Sequence, residues 1–236
     1  MSVHENHLIE RLPRKDRLHL LARSELVFLK PSDILSKPGQ NSPYVYFPTE
    51  GLVSLITLIN GGHGIEVGMI GYEGMLGVQT ILEFNTAPLY AIVQREGYAW
   101  RTEISLFRHE LVHCAALRRS MQAYMFFLIM QLATSSACLH FHLISQRLAR
   151  WLLMRQDRTC DDHFYITHEF LAYFLGVRRA SITSAASEMQ KSGLIEYCRG
   201  NIIVLDRTGL LATACSCYAA DKIAYAQFLE HGCTSQ

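Results

Sequence analysis

Short apolar runs separated by turn-forming residues fill the first half of the chain. The runs are LVFL (26–29), YVYF (44–47), LVSLITLI (52–59), GIEVGMI (64–70), YAIV (90–93) and YAWRTEI (98–104). They are rich in valine, isoleucine and aromatic residues, which is typical of strands. Asn60-Gly61-Gly62, between two of the runs, is a strong hairpin signal. Many short strands at this spacing predict a β-roll or sandwich with helices at its ends.

A helical period replaces the strand pattern after Leu106. Apolar positions then recur at steps of three and four, with Ser135 completing the last interval, at Leu117, Met121, Tyr124, Leu128, Leu132 and Leu139. Further apolar residues flank this stripe, so the helix must be covered on more than one side. We expect one face to pack on the β-roll and another on the same helix of a second subunit. The six residues of the stripe are therefore the predicted dimerisation residues.

The segment 120–146 contains no Asp, Glu, Lys or Arg and is long enough to span a bilayer. It does contain glutamine, threonine, serine and histidine residues, which hydrocarbon would penalise. We therefore expect a helix of a water-soluble protein, buried on two sides, and no membrane partner.

The last third of the chain has the pattern of a winged helix-turn-helix. A helix over 144–156 and a polar linker over 157–163 precede it. Thr167 is a plausible N-cap for the next helix, and Gly176 supplies a turn. The predicted inward residues are Phe170, Leu171, Phe174 and Leu175 on that helix and Ile182, Ala186 and Met189 on the following one. Two short strands joined through Arg199-Gly200 complete the unit.

The helix predicted over 178–192 has a polar N-terminal end of the kind that a recognition helix inserts into the major groove. Its outward residues are Arg178, Arg179, Ser181 and Ser184. Arginine can bind guanine through two hydrogen bonds, while hydroxyls and lysine can hold phosphates. Arg179 is the predicted base contact. Thr167, Lys191 and Arg199 complete the expected DNA-binding residues.

This order of parts resembles the Crp/Fnr superfamily of bacterial transcription regulators. The similarity covers nearly the whole chain and is most specific in QRLARWLL and FLGVRRASITSAASEMQKSGLI. The resemblance implies an α+β protein with a β-roll effector domain like the cyclic-nucleotide-binding jelly roll (1–114), a long dimerisation helix (115–143) and a winged helix-turn-helix DNA-binding domain (144–236). It also implies a homodimer on a double-stranded operator, with RNA polymerase as a partner if the protein is an activator.

The chain departs from the family at the base-reading positions. Aligned through Gly176, the family's best-known base readers fall at Arg179, Ala180 and Ser184, and only Arg179 keeps the family's residue. Alanine and serine cannot make the hydrogen bonds of the glutamate and arginine that are missing. We therefore expect a different operator sequence.

The chain also departs from the family at the effector site. Cyclic-nucleotide-binding relatives use a Gly-Glu pair for the ribose and an Arg-Ser step for the phosphate. Gly71 and Glu73 lie near the first element, and Leu89 and Tyr90 replace the second; these four are the candidate effector residues. Because a buried phosphate without a cation is costly, cyclic AMP is not expected. The effector stays unidentified, and no cofactor is predicted.

Composition adds little to these predictions of fold and function. The net charge of +1 neither suggests nor excludes nucleic acid. An odd count of seven cysteines and the lack of an N-terminal secretory signal favour reduced thiols in a cytoplasmic protein. There is no CxxC pair, and the first cysteine, Cys114, lies far from the N-terminal cluster of the iron–sulfur branch. Cys215 and Cys217 are expected to be small buried residues.

Two enzyme interpretations compete with the regulator. His109-Glu110-Leu111-Val112-His113 fits the HExxH motif of zinc proteases, but Ala116 and Arg119 occupy the positions that the extended motif gives to Gly and His. In the roll, only His63 and Glu66 could serve as ligands of a cupin-like metal site. We therefore predict a transcription regulator without catalytic activity, with a metal-dependent hydrolase or cupin-like enzyme as the alternative.

Overall fold

The computed structural model describes residues 5–59 and 63–231. The first helices and strands are α1 (His7–Glu10), α2 (Arg14–Leu21), β1 (Glu25–Leu29), β2 (Ile34–Ser36), β3 (Tyr44–Pro48), β4 (Leu52–Ile59), β5 (His63–Ile70), β6 (Tyr90–Arg95) and β7 (Gly97–Glu103). A 3-10 helix, Val78–Leu82, lies between β5 and β6. The strands form two sheets with the orders β1-β7-β3 and β2-β6-β4-β5. The predicted β-roll is confirmed, while the Asn60-Gly61-Gly62 turn lies outside the described residues.

The strand β3 is buried on both of its faces. Val45 and Phe47 on β3 are fully buried, and Phe47 packs edge-on against the ring of Phe107. β7 lies between β1 and β3 and pairs antiparallel with both. Neither β2, with three residues, nor the 3-10 helix, with five, was predicted, because segments this short show no clear period.

Three helices follow the roll, namely α3 (Ile104–His113), α4 (Ala115–Phe141) and α5 (Ile144–Thr159). α4 corresponds to the long helix predicted from the apolar period. By length and composition it could also cross a membrane. One such helix is weak evidence for a membrane protein, because core helices of soluble proteins meet the same criteria.

The structure corrects the dimerisation residues expected on α4. Leu117, Met121, Tyr124 and Leu128 are buried in the protein's own core, in a cluster that includes Leu8, Phe47 and Phe228. A side chain covered by its own chain cannot also contact a partner helix. Leu132 and Leu139 are exposed and stay available for such a contact.

The remaining elements are β8 (His163–Tyr165), α6 (His168–Leu175), α7 (Arg179–Lys191), β9 (Ile195–Cys198), β10 (Asn201–Val204), α8 (Arg207–Thr213) and α9 (Ser216–His231). β10 lies between β8 and β9 and pairs antiparallel with both. The predicted winged helix-turn-helix is confirmed. The expected linker over 157–163 is shorter than predicted, because α5 continues to Thr159 and β8 begins at His163. Phe170, predicted to face inward, is 57% exposed.

The described chain divides into two compact units. One contains residues 5–55, 69–130 and 224–231, and the other contains residues 56–59, 63–68 and 131–223. The boundary falls inside β4, β5, α4 and α9. The domain ranges expected from the sequence, 1–114, 115–143 and 144–236, were instead drawn between predicted elements.

α5 is largely buried in the second unit, and Arg150, Trp151 and Arg155 on it each contact a partner side chain. Arg150 donates two hydrogen bonds to Asp221 Oδ2, at 3.1 and 2.6 Å. The Trp151 indole donates to Glu66 Oε1 at 2.7 Å. The Arg155 guanidinium lies over the ring of Phe164, 4.6 Å from its centroid. These contacts allow a helix with three buried arginines to lie inside the unit.

We expect Asp221→Ala to destabilise the protein by about 3–5 kcal/mol, because it leaves the buried Arg150 without its carboxylate. Lys222→Ala is the matched control. It removes an exposed ion pair with Asp157 and should cost less than about 1 kcal/mol. Urea unfolding of both variants measures the difference, and equal stabilities would show that the buried pair is not required.

Candidate nucleic-acid interface

One side of α7 is fixed inside the protein and the other is open. Ile182, Ala185, Ala186 and Met189 are all less than 7% exposed. Three of these were predicted to face inward. The opposite side exposes Arg179, Ala180 and Ser184 near the N-terminal end of the helix. The orientation of α7 is therefore set by core packing, and its exposed residues are free to bind a partner.

A tight turn connects α6 to α7. α6 ends at Gly176, whose φ of 61° is left-handed and whose N–H bonds to the carbonyl oxygens of Ala172 and Tyr173. A Cβ at this position would lie 2.8 Å from Ile65 Cδ1. Glycine is favoured here by its left-handed conformation, whereas the end of the Ile65 side chain could shift to admit a Cβ.

The residues predicted to bind DNA have different environments in the structure. Arg178, Arg179, Ser184, Lys191 and Arg199 are exposed, whereas Ser181 and Thr167 are half-buried. Thr167 is the N-cap of α6, as predicted, and its Oγ1 accepts a hydrogen bond from the Phe170 N–H at 3.3 Å. Arg178, Arg179 and Ser184 lie in the N-terminal half of α7, while Lys191 is its last residue.

The N-terminal end of α7 is favourable for an anion. Arg178 occupies the N-cap position, and its side chain makes no capping hydrogen bond. The first amides of a helix without a side-chain cap can donate to phosphate oxygens, and the helix dipole attracts negative charge. Arg178 and Arg179 add two positive charges at the same end.

The hairpin after α7 carries a further positively charged side chain, that of Arg199. β9 and β10 are joined by Arg199 and Gly200, whose φ angles of 50° and 90° are those of a two-residue type I′ turn. A Cβ on Gly200 would lie 2.6 Å from the ring of Tyr165. The hairpin predicted through Arg199-Gly200 is therefore confirmed, with Arg199 exposed at its tip.

His168 connects the parts of this interface and was not identified from the sequence. Its ring stacks on Tyr197 of β9 at 4.0 Å, and its Nδ1 lies 3.0 Å from Thr183 Oγ1 on α7. The Thr183 hydroxyl in turn donates to the carbonyl oxygen of Arg179 at 3.1 Å. Burial, followed by the charge of Arg179, lowers the pKa of His168. A neutral His168 thus braces α6, α7 and the hairpin against one another.

The candidate effector residues lie in the roll but do not form a phosphate site. Glu73 is buried, and its carboxylate accepts a hydrogen bond from the Gly71 N–H at 3.0 Å. A cavity of about 40 Å³ lies near Leu89, and no charged side chain is among the residues that line it. Tyr90 and Glu73 are not among these residues either. Of the four candidates, only Leu89 lines this cavity.

The HExxH residues take part in a structural ion pair. Glu110 is buried, and its carboxylate pairs with Arg23 and with His19. Burial opposes ionisation of this carboxylate, but hydrogen bonds from His19 and His109 and the charge of Arg23 lower its pKa. A low pKa makes it a weak general base. In the roll, Glu66 accepts the hydrogen bond from Trp151.

Comparison with known proteins gives one domain match and several fold matches. Residues 146–213 match the Crp-like helix-turn-helix domain. No curated protein sequence matches the chain.

The similar solved structures come from bacterial regulators. A Crp/Fnr-family transcriptional regulator from Eubacterium rectale has 17% identity and a TM-score of 0.69, over 88% of this chain and 97% of the other. FixK2 from Bradyrhizobium japonicum has 14% identity and a TM-score of 0.70, over 81% and 98%. The c-di-GMP responsive global regulator CLP from Xanthomonas campestris has 14% identity and a TM-score of 0.66, over 82% and 100%. At these identities the likeness shows the fold. Together with the domain match, it confirms the resemblance found in the sequence.

His168 gives a pH-dependent test of the bracing contact. Its folded pKa lies below the ordinary 6.5, so its stabilising effect is complete above that pH and is lost as the pH falls below it. We expect His168→Gln to show a smaller drop in melting temperature than the wild type between about pH 7.5 and pH 5.5. The exposed His163→Gln is the control and should behave like the wild type. An equal drop in all three proteins would contradict the assignment.

Proposed function

From the Crp-like helix-turn-helix domain at residues 146–213 and the Crp/Fnr fold of the chain, we propose that the protein is a homodimeric regulator of transcription that reads a near-palindromic DNA operator. The proposal places it in the cytoplasm, with double-stranded DNA as its principal partner. RNA polymerase is a further partner if the protein activates transcription. No catalytic step is part of this function.

The exposed N-terminal end of α7 is the observation that carries the proposal. The helix is anchored by four buried residues on one side, and it presents Arg179 and Ser184 on the other. A rigid helix with a cationic tip suits insertion into the major groove. Arg179 can bind the O6 and N7 atoms of a guanine, which discriminates against other bases by about 1–3 kcal/mol.

Other exposed groups would hold the DNA backbone. Arg178 and the first amides of α7 lie at one end of the helix, Lys191 lies at the other end, and Arg199 lies at the tip of the hairpin. Contacts of this kind set orientation and give salt-dependent affinity without reading sequence. Ser181 and Thr167, both half-buried, are secondary candidates.

The open face of α4 supports the homodimer. Its exposed positions Gln122, Phe126, Ile129, Ala133, Ser136 and His140 recur at alternating steps of four and three. This spacing is typical of a coiled-coil seam. Phe126 and Ile129, which are 61% and 55% exposed, are neighbours on this face, and contiguous exposed apolar side chains commonly mark a protein–protein contact. Two recognition helices would then enter major grooves about 34 Å apart.

The proposed site of control by an effector is the cavity in the roll. The apolar lining and small volume of the cavity near Leu89 favour a small uncharged ligand over a cyclic nucleotide. The candidate residues Gly71, Glu73 and Tyr90 would then affect the shape of the roll without touching the ligand.

Arg179→Ala tests the base contact. We expect binding to an operator selected from random DNA to weaken about 10–100-fold, with a much smaller loss on unrelated DNA. Arg14→Ala is the matched control, since it removes the same charge from an exposed position on α2. Fluorescence anisotropy at fixed salt measures both. Unchanged operator affinity in the Arg179 variant would overturn the assignment.

Lys191→Ala tests a phosphate contact. We expect affinity to fall by a similar factor on operator and unrelated DNA, and the slope of log affinity against log salt to decrease by about 1. A loss confined to the operator would instead make Lys191 a base-reading residue.

Phe126→Glu tests the dimer seam. A charge at this position should give a monomer in light scattering and reduce operator affinity about 100-fold or more, because the second half-site is lost. Val112→Glu, at another exposed apolar residue, is the control and should stay dimeric. A dimeric Phe126 variant would place the interface elsewhere.

A further inference from the structure

Four side chains that commonly bind metals converge in the second unit, apart from the residues proposed to contact DNA. They are Cys138, His142, Cys215 and Cys217, and one ligand atom from each lies within 4.8 Å of all the others. Cys138 Sγ is 3.4 Å from Cys215 Sγ, and Cys217 Sγ is 3.5 Å from His142 Nδ1. The three cysteines are buried and the histidine is half-buried.

Local helical geometry creates each half of the cluster. Cys138 and His142 are four positions apart, and the His142 N–H bonds to the Cys138 carbonyl at 3.3 Å, so both lie on one face of a helical turn. Cys215 immediately precedes α9, and Cys217 is in its first turn. Packing of the two halves then brings together ligands that are 77 positions apart for Cys138 and Cys215.

The distances suit a single tetrahedral ion. With metal–sulfur bonds of about 2.3 Å and metal–nitrogen bonds of about 2.0–2.1 Å, neighbouring ligand atoms around such an ion are roughly 3.5–3.8 Å apart. The two measured distances, 3.4 and 3.5 Å, are close to this range. Three cysteines and one histidine are also a common ligand set of structural zinc sites.

Nearby positive charge favours the ion-bound state. Three thiolates around a divalent cation carry one net negative charge. Arg147 and Arg150 both lie within electrostatic range of Cys138 and Cys215. Arg150 is neutralised by Asp221, whereas Arg147 forms no ion pair with a carboxylate in the described part of the chain. Arg147 can therefore balance the charge of the occupied site.

We propose that Cys138, His142, Cys215 and Cys217 bind one thiophilic divalent cation of the zinc class and thereby join the end of α4 to the start of α9. Two other outcomes fit these residues less well. A disulfide between Cys138 and Cys215 would use two of the four ligands and leave the other two unexplained. An iron–sulfur cluster holds several iron and sulfide atoms between its ligands and needs more room than 4.8 Å allows.

Metal analysis of the full-length protein tests the site directly. The protein is purified under reducing conditions without chelator, and its zinc, iron and sulfide contents are measured per chain. We expect about one zinc per chain. After removal of zinc, titration with Co²⁺ should give the intense absorption of cobalt–thiolate bonds, with saturation at one equivalent.

Variants assign the metal to these residues. Cys217→Ser and His142→Ala should lose the bound zinc and the cobalt–thiolate absorption. Cys160→Ser and His163→Ala replace the same residue types at exposed positions and should keep both. Circular dichroism verifies that each variant is folded. A chelator should lower the melting temperature of the wild type by about 5 °C or more and leave that of the Cys217 variant unchanged.

Several results would overturn the proposal. They are a reduced, folded wild type that neither contains zinc nor binds Co²⁺, zinc that persists in both ligand variants, iron with sulfide in place of zinc, or a Cys138–Cys215 disulfide in the reduced preparation. None of these results depends on DNA binding. Failure of the metal site would leave the proposed regulator intact, and failure of operator binding would leave the metal site intact.

Discussion

The orientation of α7 depends on the burial of α5, whose three buried arginines each have a partner. Arginines inside a protein are costly unless a carboxylate, a carbonyl or an aromatic ring receives them. Arg150 has Asp221, Arg147 donates to the Leu175 carbonyl, and Arg155 lies against Phe164. α7 packs against this helix. The orientation of α7, and with it the position of Arg179, therefore depends on the contacts that hold α5 in the core.

Local signals predicted the strands of the roll, the long helix and the winged helix-turn-helix. Each of these elements is marked in the sequence by an apolar period or by a turn residue, such as Gly176 or Gly200. The period along α4 showed which side of the helix is apolar but not what covers it. The stripe through Leu117 and Tyr124 packs in its own subunit, while the seam through Phe126 and Ile129 stays open. A one-dimensional pattern cannot separate these cases, because both faces are apolar.

The exposed tip of α7 was predictable, since its residues are close in sequence and share one helix. His168 was not, because its role comes from Thr183 and Tyr197, which lie on two other elements. The cluster of Cys138, His142, Cys215 and Cys217 was not predicted from the sequence for the same reason. Neither Cys-x-Cys nor Cys-x-x-x-His is a recognised metal motif alone, and only the packing of α4 against the start of α9 brings the halves together.

The separation of those two halves along the chain has a consequence for biosynthesis. Cys138 and His142 emerge from the ribosome well before Cys215 and Cys217, since Cys215 follows Cys138 by 77 positions. During this interval the nascent chain holds only half of a coordination sphere, and domains fold as units while synthesis proceeds. Full coordination would become available only after the recognition helix and hairpin have been made. A bound ion would then indicate that the second unit has been synthesised in full. Truncated chains would bind no ion at this site.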